Sequence, residues 1–351
     1  MLIHKTIDRI QPIDPHLMAQ AQSRLDRLTK PIGSLGRLED LAARYVMITG
    51  EIKPQVPRGA VFTFAADHGV TVEGVSAYPS AVTPQMVLNF LRGGAGVNVL
   101  ARHVGIEVCV VDIGVAFDFE LAPGLIHKKV MSGTKNLLVE PAMSPAQAEQ
   151  ALQVGIELAT EAAQQGIGLI GTGEMGIGNT TASSAITAVM TGRSVSEVTG
   201  RGTGIDDASH AHKIDVIRRA LDLHRLDSTH TMEVLAKVGG LEIAGLTGLM
   251  LGAAEARIPV VLDGFIAGTA ALIAVGLQPR CRDYLIASHR SVERGHQAIL
   301  DHLGLKPLFD LDLRLGEGTG ACLGMGLVFA AIKIFTEMAT FDEAGVSERT
   351  T

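Results

Sequence analysis

Short, continuous apolar runs alternate with longer segments of helical period along most of the chain, and each run closes in a polar or glycine-rich turn. Ala60–Ala66, Glu107–Ile113, Ile167–Ile170, Ile258–Leu262 and Tyr284–Ala287 are too short for helices and read as buried strands. Between and after them, Gln85–Leu91, Val97–His103, Ser144–Gln165, Thr181–Met190, Ala208–Leu223, Leu241–Ala254, Phe265–Val275 and Val292–Leu303 read as helices. Ser144 with Pro145 marks one helix start, Asp206 or Asp207 another, and Pro84 fits the first turn of the Gln85 helix. Strand, turn and helix in repetition predict an α/β fold, three α/β/α layers around a mainly parallel sheet with right-handed crossovers. Met18–Thr29 and Leu38–Ile48, split by the breakers of Lys30–Gly36, precede any strand and can pack as a helical lobe. Ala321–Thr336 is a long small-residue helix, and Thr340–Thr351 is polar enough to fray.

Composition sharpens this picture. The 351 residues are 47% hydrophobic, enough for a large core in one big domain with a smaller lobe or in two modest domains. Aromatics are only 4% and Gly reaches 40, so the core is built from closely packed small and branched side chains, which suits helices laid on a parallel sheet. A formal charge of −7 without any Lys/Arg run argues against a nucleic-acid partner. Cys109, Cys281 and Cys322 are scattered like reduced cytoplasmic thiols, with neither disulfide nor zinc spacing. The N-terminus lacks a signal-peptide core, and the apolar run Gly264–Pro279 is shorter than a membrane span. The expectation is a soluble, cytoplasmic protein without a membrane partner.

The chemistry concentrates in Gly166–Ile186. Here a strand end leads through Gly171, Gly173, Gly176 and Gly178 to a helix that Asn179 or Thr180 can cap. Such a turn can receive an anion on backbone N–H groups. Gly171, Gly173 and Gly176 also fit the dinucleotide fingerprint, with Glu197 near the distance for a ribose-binding acid. Glu174, inside the turn, opposes a pyrophosphate there, and glycines that only permit close packing explain the run as well. Val198–Ile205 is a second glycine-rich turn, and Lys213 beyond it can supply the cation for an anion held between the two. Asp67 and His68 end a strand, the edge where open parallel sheets carry chemistry, although both can equally bond nearby backbone. Thr71–Thr83 has the length and polarity of a binding loop. Ser132–Thr134, beside His127, Lys128 and Lys129, offers further phosphate-facing donors. His210 and His212 lack the four-residue spacing that favours a shared metal on a helix. Glu317, between Gly316 and Gly318 at a helix mouth, is weakened as a base by the helix dipole unless apolar surroundings or a nearby acid compensate. An ordinary first-turn Glu fits the same spacing.

Blocks spread over nearly the whole chain resemble the nicotinate-nucleotide:dimethylbenzimidazole phosphoribosyltransferase family. They are KPIGSLGRLE at Lys30–Glu39, FAADHGV at Phe64–Val70, the Tyr78–Gln85 loop, GEMGIGNTT at Gly173–Thr181, the Gly200–Gly204 turn, LDGF at Leu262–Phe265 and GEGTGA at Gly316–Ala321. The resemblance implies a large Rossmann-like α/β domain over residues 56–315. It also implies a small lobe joining a helical segment 1–55 to the C-terminal helices of 316–351, in a homodimer. It implies displacement of nicotinate from nicotinate mononucleotide by 5,6-dimethylbenzimidazole, with anomeric inversion, no cofactor and no metal. Carried over residue by residue, the catalytic carboxylate falls on Glu317. Glu174, Gly176, Gly202 and Lys213 fall on nucleotide and phosphate contacts, with Glu174 a second catalytic candidate. Tyr78, Ser80, Gln85, Met86 and Leu315 fall at the base pocket. Two other classes compete: a dinucleotide-dependent oxidoreductase using Glu197, and a noncatalytic nucleotide sensor that leaves Glu317 and the Thr71–Thr83 loop without a task.

Overall fold

Alternation along one strand sets up the layers. In β1 (Arg58–Ala66), Ala60, Phe62, Phe64 and Ala66 enter one hydrophobic cluster while Val61 and Ala65 enter another on the opposite face. A strand covered on both faces must be apolar throughout, which is why it reads as a continuous run. The computed structural model describes residues 2–120, 122–202 and 204–347. Within them, β1 is central to a six-stranded sheet with β2 (Glu107–Gly114), β3 (Leu125–His127), β4 (Ile167–Met175), β5 (Val260–Leu262) and β6 (Leu285–Ala287). The order is β3-β2-β1-β4-β5-β6 and every pairing is parallel. The direction of strand progression reverses between β1 and β4, so the crevice beyond their carboxyl ends is the natural ligand site.

Helices cover both faces. Before the sheet come α1 (Leu2–Arg9), α2 (His16–Arg27) and α3 (Arg37–Thr49); α4 (Val82–Leu91) and α5 (Gly96–Val104) join β1 to β2. Next are α6 (Pro145–Gln164), α7 (Asn179–Thr191), the short α8 (Val195–Val198), α9 (Asp207–His224), α10 (Thr231–Val238) and α11 (Leu241–Glu255). The series ends with α12 (Phe265–Leu277), α13 (Arg294–Leu303), α14 (Thr319–Glu337) and α15 (Phe341–Ala344). The first face carries α6, α7 and α9 to α13, and the second carries α2 to α5 and α14. Small residues let these layers approach: Gly155 of α6 lies against Gly245 and Gly248 of α11 with no room for a Cβ. The three layers of the α/β/α expectation are therefore present.

N-terminal and C-terminal helices meet on the second face, where α2 packs on α3 and α3 on α14. The buried Lys30–Glu39 ion pair, 2.9 Å, ties the α2–α3 connection. By contrast, α1 lies against α6 and α11, so the first 55 residues divide between both faces. α14 has the length and apolar composition to cross a membrane, but here Ala321, Met325, Val328, Ile332 and Phe335 pack into the second core. The tail is more ordered than its polarity implies. Thr340 bridges Leu28 and caps α15 through Glu343, while residues 348–351 lie outside the described ones. Helix α4 also begins before Gln85, at Val82, and Gly69–Glu73 forms a 3-10 turn, which shortens the expected Thr71–Thr83 loop.

Candidate active site

A cleft of about 650 Å³ opens at the carboxyl ends of β4, β5 and β6, and its wall includes Tyr78, Met86, Glu174, Gly176, Gly202, Leu315 and Glu317. Those seven expected site residues come together from sequence positions more than two hundred apart. Three others do not line the cleft. Ser80 turns its hydroxyl to Thr71 Oγ1 at 3.0 Å, Gln85 is exposed on α4, and Lys213 sits behind the wall.

Glu317 is held in an unusual backbone. Gly316, Glu317 and Gly318 have successive φ of +82°, +65° and +104°, and a non-glycine residue in that region costs about 1–2 kcal/mol. Its carbonyl accepts from Thr63 Oγ1 at 2.9 Å, and its Oε2 accepts from Val97 N–H at 3.1 Å in the first turn of α5. The side chain thus meets the N-terminus of α5, not that of α14 as its position in the chain implies. Only 6% of the residue is exposed. Burial raises its pKa above the ordinary carboxyl value, against the lowering effect of the Val97 and Gly96 N–H groups. Desolvation wins, and that is the compensation a base at this position requires.

The glycine run is not the turn its sequence suggests. β4 continues to Met175, so Gly171 and Gly173 are strand residues paired with Val61 and Thr63 of β1. Space, not conformation, demands them. A Cβ at 171 would stand 2.7 Å from Met325 Sδ, and one at 173 would stand 2.7 Å from the Glu317 carbonyl carbon. Among these glycines, Gly178 alone adopts a left-handed φ, +94°, where it caps α7 without a side chain. Asn179 does not cap that helix; its amide donates to Glu174 Oε2. Burial pushes the Glu174 carboxyl up to about 8, aided by the charges of Asp263, Glu242 and Glu317, so it holds a proton near neutrality. The dinucleotide reading fails at its acid: Glu197 is on the surface and caps α8 through Ser194.

At the other end of the cleft, Lys213 is buried with its Nζ 2.7 Å from Thr180 Oγ1 and 3.4 Å from where a Cβ at Gly202 would stand. Burial lowers its pKa to about 8, with the Glu293 charge opposing. Thr180, Gly202 and Glu293 face the cleft in front of it. Thr203 lies outside the described residues. An anion in this corner would gain the Lys213 charge, the Thr180 hydroxyl and nearby backbone.

Several groups had no role in the sequence reading. Asp263, directly after β5, accepts backbone N–H groups from Gly318, Gly320 and Ala321. His289, just past β6, lines the cleft and stacks on Phe309 with ring centroids 5.8 Å apart. Burial lowers it to about 4, against the pull of Asp310, so it is neutral. The strand-end rule that drew attention to Asp67 and His68 would have found both residues. His68 itself is buried against Glu242, Nε2 to Oε1 2.7 Å, outside the cleft wall. Burial tends to lower its pKa, but the Glu242 charge and hydrogen bond outweigh that and raise it. Asp67 accepts from Ala116 N–H, and Ser132–Thr134 wraps on Asp67, where Thr134 N–H bonds the Asp67 carbonyl, instead of facing a phosphate. Lys128 and Lys129 are taken up by Glu157, Glu161, Asp112 and Asp118. Among the described residues, no His, Cys, Asp and Glu cluster has metal-site geometry.

Known proteins match the chain over nearly its whole length. The chain is 58% identical over 347 residues to the nicotinate-nucleotide–dimethylbenzimidazole phosphoribosyltransferase of Geotalea uraniireducens, covering 99% of both. It is 60% identical over 347 residues to the protein of the same name from Geobacter sulfurreducens, again covering 99% of each. The crystal structure of CobT from Thermus thermophilus superposes with a TM-score of 0.91 at 49% identity, covering 95% of this chain and 100% of that one. With a phosphoribosyltransferase profile matching residues 10–346 as well, the chain belongs to the phosphoribosyltransferase family that these proteins represent.

Proposed function

We propose that this enzyme transfers the 5-phosphoribosyl group of nicotinate mononucleotide to 5,6-dimethylbenzimidazole, giving α-ribazole 5′-phosphate and nicotinate in cobalamin biosynthesis. The observation that carries the reading is 58–60% identity over 99% of the chain to proteins bearing that activity in their name. The cleft supports it chemically. A base nitrogen attacks the anomeric carbon as the bond to the nicotinate nitrogen breaks, and the bonding pair returns to that nitrogen and neutralises its pyridinium charge. The leaving group is therefore already activated, and the protein must orient the nucleophile and take its N–H proton.

Glu317, desolvated and left with a free lone pair on a raised carboxylate, accepts that proton. Attack from the face opposite nicotinate inverts the anomeric centre. Lys213, Thr180 and Gly202 hold the 5′-phosphate, which fixes the ribose against both bases. Tyr78, Met86 and Leu315 flank the acceptor base, with Ser80 and Gln85 contributing through the loop and helix that carry Tyr78 and Met86. Glu174, kept protonated near neutrality, adds no charge against the departing nicotinate carboxylate. The same reading carries a homodimer, checked by sedimentation velocity, and a cytoplasmic location. Incubation with both substrates, followed by product mass and nicotinate release, tests the assignment. Absence of α-ribazole 5′-phosphate with saturable NAD binding would replace it with the oxidoreductase reading.

A further inference from the structure

Glu317 and Gly318 share one peptide bond, and that peptide is held at both ends by side chains from separate parts of the sheet edge, one on β1 and one just past β5. Its carbonyl accepts from Thr63 Oγ1 of β1 at 2.9 Å, and its N–H donates to Asp263 Oδ2, beyond β5, at 3.2 Å. The other oxygen of Asp263 accepts from Gly320 at 2.7 Å and Ala321 at 3.1 Å, the second and third N–H groups of α14. Gly318 precedes that helix and has no side chain with which to cap it. We propose that Asp263 is a positioning residue for Glu317, clamping the 317–318 peptide so that the carboxylate of Glu317 points at the incoming base; this rests on the transferase reading above.

Three observations support a positioning role over a purely structural cap. The turn passes through three consecutive left-handed residues, one of them Glu317 itself, and such a backbone persists only where its surroundings over-determine it. The clamp acts on the peptide that immediately follows the Glu317 Cα, so release of the N–H end frees the torsions that aim the side chain. Finally, a neutral side chain can cap a helix, whereas an Asp only 2% exposed is an expensive way to do so. Burial pushes Asp263 up to about 7 despite its three N–H donors, with the Glu317 charge pushing the same way.

Asp263→Asn is the incisive variant. Its Oδ1 can keep the Gly320 and Ala321 bonds, while its amide would face the Gly318 N–H donor to donor. Thr63→Val, near its parent in size, releases the other end of the peptide. Each variant should slow single-turnover formation of α-ribazole 5′-phosphate about 10- to 100-fold, the scale of a misplacement near 1 Å. Asp263 also lines the cleft, but both broken bonds are to the protein's own backbone, so dissociation constants for nicotinate mononucleotide and dimethylbenzimidazole should stay within about twofold of the parent. In a Glu317→Gln background, adding Asp263→Asn should change the residual rate less than about twofold, because a residue that acts through Glu317 has nothing left to position. An Asp263→Asn enzyme at the parental rate overturns the proposal. So does a defect that persists in full beside Glu317→Gln, or one that is matched by lost nucleotide binding. A parent that forms no product from this substrate pair overturns the transferase reading and the clamp together, whereas an active parent with additive losses overturns the clamp alone.

Discussion

Replacing Gly173 by Ala tests whether the glycines of β4 serve packing under Glu317 or an anion. A Cβ at 173 would lie 2.7 Å from the Glu317 carbonyl carbon and 2.8 Å from Thr63 Oγ1, and nearer still to the Glu317 oxygen. Carbon atoms pack at about 3.5–4.0 Å, so the Glu317 backbone must retreat by about 1 Å. Overpacking of this kind costs roughly 1–3 kcal/mol, partly offset by the roughly 0.5–1 kcal/mol that Ala gains over Gly in strand entropy. The net loss of stability is then about 1 kcal/mol, which a protein of this size survives. The kinetic effect is larger, because a 1 Å displacement of a reacting group can cost about 100-fold. Gly171→Ala is the control: its Cβ meets Met325 Sδ, the flexible end of a side chain, at 2.7 Å and the Cβ atoms of Ala321 and Val61 at 3.4 Å, with no Glu317 atom among its three nearest neighbours. Single-turnover conversion, read beside thermal unfolding, should show Gly173→Ala about 100-fold slow and Gly171→Ala near the parent. A parental rate for Gly173→Ala with unchanged stability would refute the packing argument. Equal loss at both positions, with weakened nucleotide binding, would return the glycines to an anion-binding role.

The raised carboxyl of Glu174 gives a stability prediction. Its folded pKa of about 8 exceeds the ordinary 4.5, so between these values the folded chain holds a proton that the unfolded chain has lost. Stability therefore falls as pH rises through that window, by up to a few kcal/mol in order of magnitude. Glu174→Gln should gain on the parent in urea midpoint from pH 5 to pH 8, and parallel curves would contradict the shift. For the phosphate end, Lys213→Ala should weaken nicotinate mononucleotide about 10- to 100-fold by calorimetry, the worth of a hydrogen bond to a charged group, and leave dimethylbenzimidazole unchanged. Equal affinity for the mononucleotide in variant and parent would remove Lys213 from that role.

What was legible in the sequence depended on how local its physical cause was. β1 and β2 were readable because burial on both faces makes a strand apolar throughout, and Ser144 with Pro145 announced α6 by its own cap. β4 was cut short at Ile170 because Gly171 and Gly173 look like a turn, whereas the reason for them is the approach of Met325 and Glu317 from far along the chain. β3, with three residues at the sheet edge, and the short α1 and α10 offered too little period to register. Glu317 was visible as a carboxylate between glycines, and the resemblance blocks named it. Its partner, the first turn of α5, lies 220 residues away, and Asp263 reaches Gly318 across 55. No local spacing encodes such contacts. The pair Asn179 and Glu174 shows the same limit at short range: five residues apart, they read as a cap and an intruding charge until β4 and α7 set them face to face.

The central claim is that Glu317 takes the proton of the attacking base, and single-turnover conversion by Glu317→Gln at saturating substrates tests it most directly. Gln keeps the size and one acceptor for the Val97 N–H but cannot receive a proton. Loss of a general base costs about 10²–10⁴ in rate. The account predicts a fall of that size in α-ribazole 5′-phosphate formation, with nicotinate mononucleotide and dimethylbenzimidazole each bound as tightly as by the parent; a parental rate of conversion would contradict it.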